Sequence, residues 1–171
     1  KKNQIIFEID SNANEIKNIY VFSNQSNADR FLINPIFDLK PRRKMELHKG
    51  INLYIDAYSN VDYAKNFSDN VRAEIVGSII QIDDIKIEYF KRIGQNSTIG
   101  IVGDLKSVNG IPISYHINYS ENQRAGYTGK LEKIGNITFK YHNLHRNSEA
   151  ANYVGKIKEI GTVKINYNED Y

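Results

Sequence analysis

Between residues 76 and 167 one β-hairpin is written four times, and few folds accommodate such a chain. The copies open as Val76-Gly77-Ser78-Ile79, Val102-Gly103-Asp104-Leu105, Thr128-Gly129-Lys130-Leu131 and Val154-Gly155-Lys156-Ile157. Each closes on a second apolar stretch, at 85–89, 111–115, 137–141 and 163–167. The glycines Gly77, Gly103, Gly129 and Gly155 stand 26 residues apart, and so do Tyr89, Tyr115, Tyr141 and Tyr167. A fixed period of this length marks one supersecondary unit stacked on copies of itself.

Within a copy, Ile137, Phe139 and Tyr141 alternate with Thr138 and Lys140, as in a strand with one buried face. Leu131, Gly129 and Tyr127 alternate in the same way along the first strand. If both strands alternate without interruption, Lys133 pairs with Ile137, Leu131 with Phe139 and Gly129 with Tyr141. That register predicts a three-residue loop, Ile134-Gly135-Asn136, with its last residue left-handed. The corresponding residues are Asp84, Gly110, Asn136 and Thr162; Thr162 suits that conformation poorly. The register also sets each repeat tyrosine across from a repeat glycine, an aromatic ring covering bare backbone.

Turn-forming stretches at 94–98, 120–124 and 146–150 follow the hairpin turns at equal intervals. The strands therefore have equal length and form an antiparallel meander. Closure into a barrel needs stagger, and level strands favour an extended, twisted, open sheet. Subtracting one period from Ile79, Ile87, Tyr89 and Asn96 gives Leu53, Val61, Tyr63 and Asn70, so 46–75 reads as a worn repeat. Residues 1–45 are less regular. Strands are expected at 4–10, 18–23 and 31–39, the last bent at Pro35, followed by a basic turn at 40–44. One face of the repeat sheet is polar, with Lys130, Glu132, Thr138, Lys140, Lys156, Lys158, Lys164 and Asn166 on it. The apolar face must be covered. The expected fold is thus all-β: a meander of hairpin repeats over 46–171, covered in part by strands from 1–45 as a sandwich or half-roll in a single structural unit.

The chemistry of the chain is mostly negative. With no cysteine there is no disulfide, thiolate metal site or thiol nucleophile. A net charge of +3, with its basic residues dispersed, calls for no nucleic-acid partner. No apolar run reaches the length of a membrane span. His116 and His142 follow the repeat tyrosines and are expected on the polar face, but Phe90 and Asn168 hold that position in the other repeats, so no metal site is expected. Asp83, Asp84 and Asp104 fall in turns or on the outer face, so no catalytic residue and no cofactor site is assigned.

The recurring Gly-x-Ile/Leu…Ile/Val-x-Ile/Phe-x-Tyr string of 76–167 resembles the β-hairpin repeats of secreted bacterial proteins and is distantly similar to YD repeats. The aspartate of the YD pair is replaced here by Phe90, His116, His142 and Asn168. The resemblance implies an extracytoplasmic bacterial protein and carries over no site residue. Repeat arrays present extended surfaces. The expected function is a non-enzymatic secreted or surface-exposed module that binds a protein or glycan; a carbohydrate-active hydrolase or an immunity-type inhibitor are the alternatives. An open meander keeps a free edge, so Lys164, Tyr167 and Tyr171 are the expected place of self-association or partner docking.

Overall fold

The computed structural model describes residues 4–10, 14–22, 42–65, 75–91, 101–117, 126–142 and 153–167. The anticipated strand at 31–39, the turns at 94–98, 120–124 and 146–150, Asn70 and Tyr171 lie outside these residues. The chain folds as two sheets and contains no α-helix and no closed barrel among the described residues. A four-stranded sheet is built from β1 (Gln4–Asp10), β2 (Glu15–Phe22), β3 (Arg42–His48) and β4 (Ile51–Asp56) in the order β1-β2-β4-β3. A nine-stranded meander follows: β5 (Val61–Tyr63), β6 (Ile79–Ile82), β7 (Ile85–Tyr89), β8 (Leu105–Val108), β9 (Ile111–Tyr115), β10 (Leu131–Ile134), β11 (Ile137–Tyr141), β12 (Ile157–Ile160) and β13 (Val163–Lys164).

The two sheets share one core. Ile16, Ile19, Val21, Leu47, Leu53 and Ile55 of the small sheet pack into a single buried cluster with Ile79, Ile82, Leu105, Leu131, Phe139 and Ile157 of the large one. The N-terminal strands therefore cover the repeat sheet, as a one-sided antiparallel sheet requires. Two groupings differ from the sequence pattern. Arg42, Arg43 and Lys44 are in β3, paired with Asp56, Ile55 and Tyr54, and not in a turn. Leu53 is in β4, parallel to β2, and only Val61 and Tyr63 open the repeat sheet. Side chains fix the parallel joint: Asn52 Nδ2 donates to Asn18 Oδ1 at 3.0 Å, Asn18 Nδ2 to Glu8 Oε2 at 2.7 Å, and Tyr20 stacks on Tyr54. The match of Leu53 to the repeat period could not outweigh that network and the burial of Leu53.

The hairpin register also differs from the expected one. Lys133 pairs with Thr138 and Ile134 with Ile137, so the loop is the two residues Gly135-Asn136. The left-handed residue is the first of the two at Asp83, Gly135 and Gly161, and both are left-handed at Asn109-Gly110, a type I′ turn. The poor fit of Thr162 disappears, because Thr162 is not left-handed. A bulge in each repeat restores one apolar face. Tyr141 pairs with Ile157 but Lys140 with Glu159, leaving Lys158 as the extra residue. Ile80, Lys106 and Glu132 are extra in the same way at the other joints. An inserted residue reverses the alternation, so residues three apart, such as Leu131 and Ile134, are both buried.

The repeat glycines do not sit under rings. Gly77, Gly103, Gly129 and Gly155 have φ of +84°, +85°, +81° and +77°, and each precedes its strand in a four-residue turn. Lys130 N donates to Tyr127 O at 3.0 Å, with equivalent bonds at Ser78, Asp104 and Lys156. A left-handed third residue in such a turn is the type II geometry, which favours glycine. A Cβ placed on Gly77 or Gly129 would meet nothing within 4 Å, so conformation is what selects glycine there. The tyrosines serve another purpose. Tyr89, Tyr141 and Tyr167 donate their hydroxyls to Ile79, Leu131 and Ile157 carbonyls at 2.7, 2.6 and 2.7 Å. Each ring folds beneath its own hairpin and ties its end to its start, ten residues earlier.

Candidate functional site

All four type II turns lie at one end of the large sheet, opposite the two-residue hairpin turns. The residue after each tyrosine completes the end: His116 N donates to Lys130 O at 2.9 Å, and Gly129 N donates to His116 O at 2.7 Å. Ala64, Phe90 and His142 make the same two bonds in their repeats. The backbone is therefore constant while its side chains change. The first turn residue is Ile75, Ile101, Tyr127 and Tyr153; the last is Ser78, Asp104, Lys130 and Lys156; the residue after the strand is Ala64, Phe90, His116 and His142.

In the third and fourth repeats these substitutions build two like clusters. Tyr127 stacks on Tyr141 at 5.6 Å, with His116 edge-on to Tyr141 and tilted against Tyr127. Tyr153 stacks on Tyr167 at 5.2 Å, with His142 against both. Lysine ammonium groups sit over the rings: Lys130 above Tyr141 at 5.6 Å, and Lys156 above Tyr153 and Tyr167 at 5.2 and 5.1 Å. Lys130 and Lys156 are thus packed on rings and not splayed on the wet face, because the bulge changes the facing of residues on its turn side. The same reversal brings His116 against the buried Tyr141 and His142 against the half-buried Tyr153 and Tyr167. Their Nε2 atoms are buried with no hydrogen-bond partner. Burial lowers the pKa of both imidazoles; Lys158 adds to the effect at His142, and Glu132 opposes it at His116. Burial likewise lowers the pKa of Lys130, whose ammonium donates to Gly155 O in the next repeat.

Turns of the small sheet close over this end at two points. Lys49, between β3 and β4, reaches Asp104 Oδ1 at 2.5 Å and Val102 O at 3.1 Å. Asn14, buried and left-handed between β1 and β2, accepts a bond from Ile157 N at 3.1 Å. Between these contacts lies a cleft of about 490 Å³ whose lining includes Glu15, Asp104, Tyr115, Thr128 and Lys130. Thr128 Oγ1 is a further buried polar atom without a partner. The cleft joins the aromatic cluster of the third repeat through Lys130.

Of the residues singled out at the edge, Lys164 does lie on the outermost strand of the large sheet. Lys164 is exposed on β13 and Tyr167 is half-buried in the cluster of the fourth repeat. No three His, Asp or Glu side chains cluster as metal ligands would among the described residues. No helix there is long and apolar enough to cross a membrane. The turn-end site was missed in the sequence because glycine, tyrosine and histidine were assigned to facing strands; the drift from Ile/Ala/Ser to Tyr/His/Lys at fixed repeat positions was the available signal. The chain matches no protein-family model, no curated protein and no solved structure.

Proposed function

We propose that this chain is a non-enzymatic, secreted or surface-exposed bacterial repeat module that binds a protein or glycan partner at the turn end of its third and fourth repeats. One observation carries the reading. Four turns with the same backbone bonds carry Ile, Ala and Ser in the first repeat, Ile, Phe and Asp in the second, and Tyr, His and Lys in the third and fourth. Stability alone does not call for the change, because Ile75, Ala64 and Ser78 complete the same turn without leaving an imidazole nitrogen buried and unpaired. Residues that break a local rule are expected where a protein meets a ligand. Aromatic faces beside cations and a mixed polar cleft suit sugars and polypeptide alike.

A double change, His116→Phe with His142→Phe, copies the Phe90 of the second repeat. It is expected to raise stability on the order of 1 kcal/mol in total, reduced from about 1–3 kcal/mol per unpaired buried group because both side chains are half exposed. Both imidazoles have folded pKa values below their ordinary 6.5. They remain neutral when folded and take up protons when unfolded, so stability is present above about pH 6.5 and is lost as the pH falls through the folded values. The double variant should therefore show a flatter stability profile as the pH falls below about 6.5 in denaturant titrations. It should also lose binding to whole bacterial cells or to a glycan panel of neutral, acidic and N-acetylated sugars. Equal binding by parent and variant would sink the reading.

The hydrolase reading has one observation of its own: Glu15 and Asp104 both line the cleft. Asp104 is ion-paired with Lys49 at 2.5 Å, which suits a structural clasp between the sheets. Sugar release from the same panel, abolished by Glu15→Gln, would establish a hydrolase instead.

A further inference from the structure

We propose that the outer edge of β13 is a receptor for an extended polypeptide strand of the pattern Gly-x-apolar-x-polar-apolar, supplied by a partner protein. The proposal rests on the reading of the chain as a binding module and adds the chemistry of a partner at a second place.

The receptor is built four times within the molecule. Tyr63, Tyr89, Tyr115 and Tyr141 end strands that pair with Ile79, Leu105, Leu131 and Ile157, the first apolar residues of the following repeat. The bulge follows at each joint, and then the second apolar residue pairs: Ile82 with Val61, Val108 with Ile87, Ile134 with Ile113, Ile160 with Phe139. A polar contact crosses the joint between them. Ser107 Oγ donates to Glu88 at 2.7 Å in one, and Lys140 Nζ to Glu159 at 2.8 Å in another. The incoming strand reads Gly77-Ser-Ile-Ile-Gln-Ile82, Gly103-Asp-Leu-Lys-Ser-Val108, Gly129-Lys-Leu-Glu-Lys-Ile134 and Gly155-Lys-Ile-Lys-Glu-Ile160.

The last second strand carries the same half-joint. Tyr167 is clasped to Ile157 O, and Ile165 N donates to Lys158 O at 2.9 Å, so 163–167 are held as in the preceding repeats. Asn166 stands where Glu88 and Lys140 stand. Among the described residues no strand pairs with the outer edge of β13. The apolar face is progressively uncovered at its hairpin-turn end. The residue after the hairpin turn is 2% exposed at Ile85, half-buried at Ile111, 50% exposed at Ile137 and 62% exposed at Val163. Among the described residues a second copy offers no free strand of this pattern, because β6, β8, β10 and β12 are each paired on both sides. Strand addition gives affinity through the backbone and specificity through alternate side chains.

Proline separates edge docking from a change in fold. Pro112 occupies, in β9, the position of Lys164, and its carbonyl still accepts from Gly135 N at 2.8 Å. Lys164→Pro should therefore leave docking intact. Asn166→Pro removes an outward N–H that alternation aims at the incoming strand. The probe is a fluorescent peptide with the sequence of residues 153–160. Its control has the residues at positions 157 and 158 exchanged, which moves the two apolar side chains from three apart to two apart. Anisotropy should show saturable binding to the parent and to Lys164→Pro, binding at least about tenfold weaker for the control peptide, and none to Asn166→Pro of unchanged thermal stability. Equal binding of both peptides, or binding unaffected by Asn166→Pro, overturns the proposal. A dimer in sedimentation that Asn166→Pro dissociates, with no peptide bound, also overturns it and makes a second copy the occupant. Failure of the peptide while the double Phe variant still loses cell binding sinks this proposal and leaves the turn-end reading standing.

Discussion

Tyr141→Ala should lower stability by about 3–5 kcal/mol, the range for removing a large ring from a core. The ring is 7% exposed, stacked on Tyr127 and set under the Lys130 ammonium. Its hydroxyl donates to Leu131 O at 2.6 Å, and truncation leaves that carbonyl inside the fold without a partner. Tyr141→Phe keeps the packing and removes only the clasp, so it should cost about 1–2 kcal/mol. The two variants divide the effect between ring and hydroxyl. Urea unfolding that places both within error of the parent would refute the clasp. A Phe variant as damaged as the Ala variant would mean that the hydrogen bond, and not the ring, dominates.

Gly129→Ala should cost about 1–2 kcal/mol, the penalty for an L-residue held left-handed. The sign is the useful part. A glycine inside an ordinary strand destabilises relative to alanine by roughly 0.5–1 kcal/mol, so a strand glycine would gain from the change. At φ +81° with nothing within 4 Å of the added Cβ, the loss comes from backbone strain alone. Gly155→Ala should cost more, because there the new methyl would stand 2.6 Å from Lys130 Nζ and 3.3 Å from Gly126 O. Thermal unfolding of the two variants checks the order; a stabilised Gly129→Ala would return the glycine to a strand.

Much of the architecture was legible because it depends on neighbours in the chain. The period, the strand sequence of the meander and the presence of the hairpin turns follow from residues within one repeat. The register was not read, although its signal was present. Leu131 and Ile134, and Ile79 and Ile82, lie three apart where unbroken alternation puts buried residues two or four apart. That spacing requires an extra residue, and the awkward Thr162 pointed to a shorter loop. The turn-end clusters are hidden in the sequence for the same cause: His116 and His142 reach the tyrosines only when the bulge reverses the alternation before the turn.

The sequence by itself determined the repeated hairpin, the one-sided meander and the glycine and tyrosine positions, since φ preference, turn formation and alternation are local properties. The tertiary structure decided which apolar residues are hidden. Ile85, Ile137 and Val163 occupy one repeat position with one local pattern, yet are 2%, 50% and 62% exposed. The difference lies in the small sheet, whose strands pack into the shared core and whose turns grip repeats two and four through Lys49 and Asn14. Burial depends on what a distant segment covers, and no period within 76–167 contains that information.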